Sequence, residues 1–144
     1  MQIHEKRIVD FIKEHHVLTL ATCLNNESWC CNCFYTYIAD EAALLFTSDI
    51  ATKHISMGLQ NSQVSGSIVL ETKIVGKIRG IQFSGEMIKV ENSEHSHYRI
   101  KYLKKFPFAI VLNTELWIVK LHKIKMTDNR LGFGKKILWE RQDT

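Results

Sequence analysis

Hydrophobic and polar residues alternate with two different periods along this chain, and each change of period marks the boundary of an element. Residues 3–15, 50–60 and 93–106 carry apolar side chains at the i, i+3, i+4 spacing that lines one face of a helix. Ser93 is a candidate N-cap for the third segment, and Pro107, the only proline, ends it. The pattern therefore predicts three short helices.

Between these segments the apolar residues recur with a period of two, which is typical of strands. The predicted strands cover residues 17–24, 28–38, 42–47, 63–70, 76–90, 116–121, 124–127 and 136–141, whereas residues 108–113 fit neither pattern. Residues 76–90 form a long strand or a bent hairpin, in which Gly80 and Gly85 are expected at bulges or corners. Some of these eight segments are short, and we take the sheet to have six or seven strands in all.

The connections between successive strands are short turns such as Asn25-Asn26-Glu27 and Asp40-Glu41. Strands joined in this way favour an antiparallel sheet, and closure into a small barrel removes its free edges. Parallel winding would need a helix after nearly every strand, which this chain lacks. The predicted fold class is mainly β, a six- to seven-stranded antiparallel barrel with three short helices.

Length and composition restrict the class of protein. The chain has 144 residues, 45% of them hydrophobic, so one domain covering residues 1–144 is expected. No apolar run approaches the roughly 18 residues of a membrane helix, and no signal-peptide core follows the N-terminus, so we expect a cytoplasmic protein without a membrane partner. The net charge of +4 is too small to predict nucleic-acid binding and fits an anionic small-molecule ligand.

Three of the four cysteines, Cys30, Cys31 and Cys33, lie within one predicted strand. On a strand Cys31 and Cys33 share one face and Cys30 takes the other. Zinc sites built from cysteine pairs usually have a second ligand pair elsewhere, and the sequence shows none. We therefore expect structural thiols and assign no metal site, with metal or redox chemistry as the alternative.

The segment from Phe46 to His54 joins the end of a strand to the start of a helix through a turn rich in hydroxyl groups. The first amides of a helix lack backbone partners, and together with nearby hydroxyls and Lys53 they favour binding of an anion. The alternative is an ordinary helix cap made by Ser48 or Asp49 beside a solvated lysine.

Two further segments combine cations with features of a ligand cleft. Residues 77–86 would place Lys77 and Arg79 on one strand face among apolar side chains, an arrangement that suits an aromatic anion. In residues 131–136 two glycines flank an aromatic residue and two lysines follow, but the spacing is not that of a P-loop. The alternatives are a surface strand and a glycine-rich corner. The sequence contains none of the common hydrolase, zinc-protease or EF-hand motifs.

Three motifs in this chain resemble those of the YhbP-like bacterial family. They are residues 79–86 (Arg-Gly-Ile-Gln-Phe-Ser-Gly-Glu), Phe106-Pro107 and residues 127–136 (Thr-Asp-Asn-Arg-Leu-Gly-Phe-Gly-Lys-Lys). With the turn from Phe46 to Lys53, the chain also resembles the FMN-binding split-barrel superfamily, which includes pyridoxamine 5′-phosphate oxidase. The YhbP-like family carries no assigned function. The resemblance to the split-barrel superfamily implies the fold, a flavin cofactor and a homodimer with clefts between its subunits.

The resemblance implies contacts with FMN for a set of residues spread over three segments: Phe46, Thr47, Ser48, Thr52, Lys53, Arg79 and Lys136. By this likeness Thr52 and Lys53 hold the phosphate, and Arg79 lies near the flavin ring. The strand aromatics are candidates for the subunit interface, namely Trp29, Phe34, Tyr35, Tyr37, Trp117 and Trp139.

The chain departs from the oxidase at four positions. Cys31 and Thr36 stand where the oxidase has basic residues that reach the flavin, and each lost charge-assisted bond would cost roughly 1.5–3 kcal/mol. Gly132 and Gly134 stand where the oxidase recognises its substrate. We therefore expect an FMN-binding redox protein of unassigned substrate, without pyridoxamine-phosphate oxidase activity.

Two alternatives to a flavoprotein remain open from the sequence. The first is a non-catalytic module that binds haem or another anionic aromatic ligand, with His54, His95 or His97 as the axial ligand. The second is a dimeric scaffold whose cleft has lost its ligand, since two basic residues are missing from the second strand.

Overall fold

The computed structural model describes residues 2–142, which form three α-helices and seven strands. The helices are α1 (Lys6–Glu14), α2 (Lys53–Gln60) and α3 (His95–Lys105). The strands are β1 (Val17–Leu24), β2 (Glu27–Ile38), β3 (Ala43–Ser48), β4 (Gln63–Val69), β5 (Arg79–Lys89), β6 (Glu115–Asp128) and β7 (Lys136–Glu140). The predicted count of helices and strands is confirmed.

All seven strands belong to one antiparallel sheet with the order β3-β2-β1-β4-β5-β6-β7. An additional pairing between β3 and β6 closes six of these strands into a barrel. β6 makes this possible because its 14 residues pair with β3 in the first half and with β7 in the second. The closure leaves few free strand edges, as the predicted barrel requires.

Local residue chemistry accounts for the tight turns and for one bulge. Asn25 and Asn26 both have positive φ angles (51° and 66°), which a two-residue hairpin turn demands and asparagine tolerates. The sheet register shifts between Ser84 and Gly85, as predicted for Gly85. A Cβ atom at Gly85 would lie 2.3 Å from the carbonyl oxygen of Lys120, so glycine allows the close strand approach. Gly80, in contrast, pairs regularly with both neighbouring strands, and the corner predicted there is wrong.

Two strand boundaries differ from the predicted ones. The chain over residues 75–77 is a turn of 3-10 helix, so β5 begins at Arg79 and Lys77 does not share its strand face. The two strands predicted over 116–127 form the single strand β6, in which His122 is the extra residue opposite Ser84 and Gly85. Two consecutive polar residues, His122 and Lys123, have the sequence pattern of a turn, but in the sheet they lie at a bulge.

The main core fills the barrel and extends beneath α1 and α2. Ile8, Phe11 and Ile12 of α1 are buried and pack with the side chains that point into the barrel. Tyr35 and Trp117, expected as interface candidates, have no exposed surface and belong to this core, whereas Trp29 and Phe34 are about half exposed (48% and 50%).

A second, smaller cluster of apolar side chains lies beneath α3. Among the residues described, no helix combines the length and the apolar character needed to cross a lipid bilayer.

Candidate functional site

The turn between β3 and α2, residues 47–54, is here called the hydroxyl turn. Asp49 accepts a hydrogen bond from the Ala51 amide (2.7 Å), and the Thr52 hydroxyl donates to the Asp49 carbonyl oxygen (2.8 Å). Thr52 is the N-cap of α2, but its side chain makes no capping bond. Asp49 therefore stabilises the turn itself, and no side chain forms a capping hydrogen bond with the first amides of α2.

Lys53, the first residue of α2, lies beside the start of β2. Its ammonium pairs with the Glu27 carboxylate and lies 4.3 Å from the centroid of the Trp29 ring. The lysine and glutamate side chains are about half exposed (46% and 60%). Because exposed pairs contribute at most about 1 kcal/mol, an anion at the turn can replace the glutamate.

Phe46 and Thr47, also predicted at the flavin, make their contacts within this chain. Phe46 has no exposed surface and belongs to the barrel core. The Thr47 hydroxyl contacts that of Thr114 and donates to the Glu115 carbonyl oxygen (3.1 Å). A flavin role for either residue stays a prediction.

Arg79 and Lys136 line one cleft of about 510 Å³ together with Lys125, and we call these three residues and their surroundings the cationic cleft. Its walls include the exposed apolar side chains of Val69 and Ile78. The Lys136 ammonium donates to the Thr127 hydroxyl (3.0 Å), which leaves donors of that ammonium for a ligand. Lys125, Thr127 and Lys136 share the outer face of the sheet, whereas Arg79 shares the inner face with its partner Asp128. Two ammonium groups therefore open into the cleft, and Arg79 borders it.

Arg79 is held in place from the side of α1. Its guanidinium donates two hydrogen bonds to the Glu14 carboxylate (3.0 and 3.3 Å) and lies 5.5 Å from the centroid of the Phe11 ring. The hydrogen bond from Arg79 lowers the pKa of Glu14 below its usual range. The side chain is only 13% exposed, so its position is largely fixed before any ligand binds.

The hydroxyl turn and the cationic cleft lie at opposite ends of β6. Thr47 pairs with Leu116 near the start of this strand, and Arg79 pairs with Asp128 at its end. Twelve residues of strand separate the two partners, a contour length of about 40 Å at the usual rise.

Behind the hydroxyl turn lies a group that we call the thiol–imidazole cluster, formed by Cys31, Cys33 and His54. The two sulfur atoms are 3.7 Å apart, and the candidate ligand atoms of all three residues lie within 4.8 Å of one another. Nε2 of His54 is hydrogen-bonded to the Ser48 hydroxyl (2.6 Å), and Thr52 Oγ1 lies 3.4 Å from it. Cys33 and His54 are buried, whereas Cys31 is half-buried.

The pKa values of the two thiols in the cluster are shifted in opposite directions. Hydrogen bonds from Cys33 and then from His54 lower the pKa of Cys31 to about 5, against the opposing effect of burial. The same sulfur–sulfur contact, together with burial, raises the pKa of Cys33. The contact and the burial therefore favour the thiolate at Cys31 over the thiolate at Cys33.

The sequence predicted the shared face of Cys31 and Cys33 but missed their contact with His54. The spacing from residue 33 to residue 54 matches no metal-site motif. The groups come together only through the fold, in which β2 pairs with β3 and the chain then turns back into α2. The proximity of His54 to Ser48 in sequence was the one local signal.

The loop after β6 depends on a buried carboxylate, Asp128, which has no exposed surface. It accepts bonds from the Arg130 backbone amide (3.0 Å) and from the Arg130 guanidinium (3.0 and 2.8 Å), and the Arg7 guanidinium lies 3.7 Å away. The two glycines that follow, Gly132 and Gly134, have positive φ angles (126° and 72°) that favour glycine. Asp128 thus anchors the loop that leads to Lys136.

Asp128→Asn is expected to lower the free energy of unfolding by about 2 kcal/mol at neutral pH, because charged hydrogen bonds are lost. The Arg130 bonds hold the pKa of Asp128 below its ordinary 3.8. The stabilisation is therefore present above pH about 4 and disappears as the pH falls through the folded-state pKa. Urea unfolding at neutral and acid pH measures this, with exposed Asp10→Asn as the control. An equal difference at both pH values would contradict it.

Curated relatives match this chain over almost its whole length. The UPF0306 protein plu4501 of Photorhabdus laumondii is 44% identical over 131 residues, which are 91% of this chain and 92% of that protein. The UPF0306 protein YhbP of Salmonella arizonae is 39% identical over 134 residues, 93% of this chain and 91% of that protein. No family model matches the chain.

Solved structures share the fold at much lower identity. A haem-binding protein from Mycobacterium smegmatis has a TM-score of 0.76 and 14% identity, with 96% of this chain covering 59% of that one. An FAD-binding protein from Mesorhizobium loti has a TM-score of 0.71 and 14% identity over 86% of this chain and 94% of that one. HutZ, the haem storage protein from Vibrio cholerae, has a TM-score of 0.67 and 15% identity over 85% and 92%. The chain therefore belongs to the UPF0306 (YhbP) family, and its fold is that of the split-barrel proteins.

Proposed function

We propose that this chain is an FMN-binding redox protein that works as a homodimer, each cofactor lying between the hydroxyl turn of one subunit and the cationic cleft of the other. The observation that carries the proposal is the cleft, where Lys125 and Lys136 adjoin apolar walls and Arg79 lies at the border. FMN joins an apolar ring system to a phosphate, and so it needs both kinds of surface.

The hydroxyl turn supplies the complementary phosphate end. The hydroxyls of Ser48 and Thr52 and the ammonium of Lys53 surround the start of α2, whose first amides have no side-chain cap. Phosphate binding at such a helix start is favoured by these amides and by the cation. Glu27, now paired with Lys53, would be displaced at little cost.

The distance along β6 is the reason for proposing two subunits. One flavin is much shorter than the contour of about 40 Å between the partners of Thr47 and Arg79. Residues from both groups can hold one cofactor if each comes from a different copy of the chain. A twofold dimer would form two such sites.

Exposed apolar residues beside the hydroxyl turn and beside the cationic cleft support a dimer. Phe108 and Val111 are 64% and 83% exposed, in the same 3-10 segment as Ala109, which lines a small cleft with Thr47. Val69 and Leu138, 64% and 71% exposed, adjoin the cationic cleft. Apolar surface of this kind commonly marks protein–protein interfaces.

The bound flavin would supply the hydride and electron transfer, so the chain needs no acid–base pair for that chemistry. Arg79 near the ring would stabilise the negative charge of the reduced state. Gly132 and Gly134 offer no side chain for the substrate contacts of the related oxidase, so another substrate is proposed. We propose a cytoplasmic location.

Haem is the second candidate, because two of the solved split-barrel structures are of haem proteins. The cationic cleft would then pair with its propionates. His95 and His97 of α3 lie at the surface and remain available as axial ligands, whereas His54 is enclosed by the cluster and Ser48.

A titration of the purified protein with FMN should quench the flavin fluorescence and saturate at one flavin per chain. Lys136→Ala is expected to weaken binding about tenfold or more, because a charge-assisted contact is lost. Lys104→Ala, an exposed site on α3, should bind as the wild type does. Absence of quenching and of a thermal shift at high FMN would refute the flavin proposal. A Soret shift on haem titration, abolished by a histidine substitution, would favour the second candidate.

A further inference from the structure

We propose that the thiol–imidazole cluster binds one zinc ion through the sulfur atoms of Cys31 and Cys33 and one ring nitrogen of His54. This inference does not depend on FMN, because Cys31, Cys33 and His54 are not among the residues proposed to contact the cofactor. It rests on the geometry, the enclosure and the donor chemistry of the cluster.

The spacing of the donors matches tetrahedral zinc. Two thiolates at about 2.3 Å from the metal in tetrahedral geometry lie about 3.8 Å apart, and the sulfurs of Cys31 and Cys33 are 3.7 Å apart. The candidate nitrogen of His54 lies within 4.8 Å of both sulfurs. A movement of about 1 Å, within reach of side-chain rotation, brings it to the bonding distance of about 2.0–2.1 Å from the metal.

The surroundings enclose the cluster on one side and leave it open on the other. Cys33 and His54 are each 8% exposed. Met57, on the same helix as His54, is also buried and accepts a hydrogen bond from the buried Thr22 of β1. Cys31 is half-buried and provides the route of entry. Three protein donors leave a fourth position for water, as in zinc sites that exchange ligands.

Ser48 supports the third ligand from outside the cluster. Its hydroxyl is hydrogen-bonded to Nε2 of His54 at 2.6 Å, which fixes the orientation of the imidazole ring. Partners of this kind hold metal-binding histidines in position, and their loss typically lowers metal affinity about 10–100-fold. Ser48 therefore acts as a positioning residue.

The donor set selects a particular class of metal. Thiolate and imidazole suit zinc and are poor ligands for magnesium or calcium, which prefer oxygen. Each cysteine binds zinc as a thiolate, so any thiol proton it carries leaves as the metal enters, without any oxidation or reduction.

The test is a titration of the fully reduced protein with Zn²⁺ against a chromogenic chelator. We expect one ion per chain. Cys31→Ala, Cys33→Ala and His54→Gln should each weaken binding by more than about 100-fold, and Ser48→Ala by about tenfold. Cys30→Ser and Cys23→Ser, which alter exposed thiols outside the cluster, should leave the affinity unchanged.

Co²⁺ in place of Zn²⁺ reports the ligands directly, through thiolate-to-metal charge-transfer absorption. At Co²⁺ concentrations that saturate each protein, this band should weaken by about half in Cys31→Ala and persist fully in Cys30→Ser, provided that circular dichroism shows both proteins folded. No binding to the reduced wild-type chain would overturn the proposal. Equal losses in the Cys30 and Cys31 variants, or a Cys31–Cys33 disulfide that forms while Zn²⁺ is present in excess, would also overturn it.

Discussion

A mixture of the Lys53→Ala and Arg79→Ala proteins is expected to recover tight FMN binding that neither protein has alone. Each variant loses one charged contact with the cofactor, so each homodimer should bind FMN roughly 10–100-fold more weakly than the wild type. Lys53 belongs to the hydroxyl turn and Arg79 to the cationic cleft, at opposite ends of β6.

Recovery follows from the symmetry of a twofold dimer. In a mixed dimer, one site lacks both cations and the other site has both. Random exchange makes half of the dimers mixed, so about a quarter of all sites should bind FMN with wild-type affinity. Co-expression of the two variants ensures the exchange, and a fluorescence titration resolves the tight and weak classes of site.

Other pairs of variants make the test specific. Lys53→Ala mixed with Lys136→Ala should also recover binding, because these residues belong to different groups. Arg79→Ala mixed with Lys136→Ala should not, because both residues line the same cleft. If no mixture recovers tight binding although each variant is folded, the cofactor site is not shared between subunits in the proposed way.

Most of the fold could be predicted from the sequence because strand and helix periods are local properties. The period of two over residues 17–24 predicts a strand there, and β1 spans Val17–Leu24. The error at β6 arose because a bulge and a turn share the same signature, two polar residues in succession. Pairing with β5 keeps the strand continuous through His122. That pairing joins residues far apart in the chain, so a local sequence pattern cannot predict it.

The candidate site was less predictable for the same reason. Local chemistry identified the hydroxyls and Lys53 of the turn, and it identified Arg79 as a cation on a strand. It could not reveal that Arg79 pairs with Glu14 or that Cys31 meets His54. These contacts join residues 65 and 23 positions apart, and only closure of the barrel and packing of the helices create them.

Trp117→Ala is expected to cause the largest loss of stability of any variant considered, about 4 kcal/mol in the free energy of unfolding. Trp117 is the largest of the fully buried side chains and lies on β6, where that strand pairs with β3. A loss of this size corresponds to a fall in Tm of roughly 12 °C for a domain of this length. The exposed Trp29 provides the control, since Trp29→Ala should cost about 1 kcal/mol or less.

Trp117 also connects the core to the hydroxyl turn, because its indole Nε1 donates to the carbonyl oxygen of Ser48 (3.0 Å). Trp117→Phe keeps an aromatic ring in the core but removes this donor, leaving the Ser48 carbonyl without that partner. We expect a loss of about 2 kcal/mol together with weaker ligand binding at the turn, measured by the Zn²⁺ and FMN titrations. If Trp117→Phe reduces stability while both affinities stay at the wild-type level, the core does not position Ser48, and the turn holds its geometry through Asp49 and Thr52 alone.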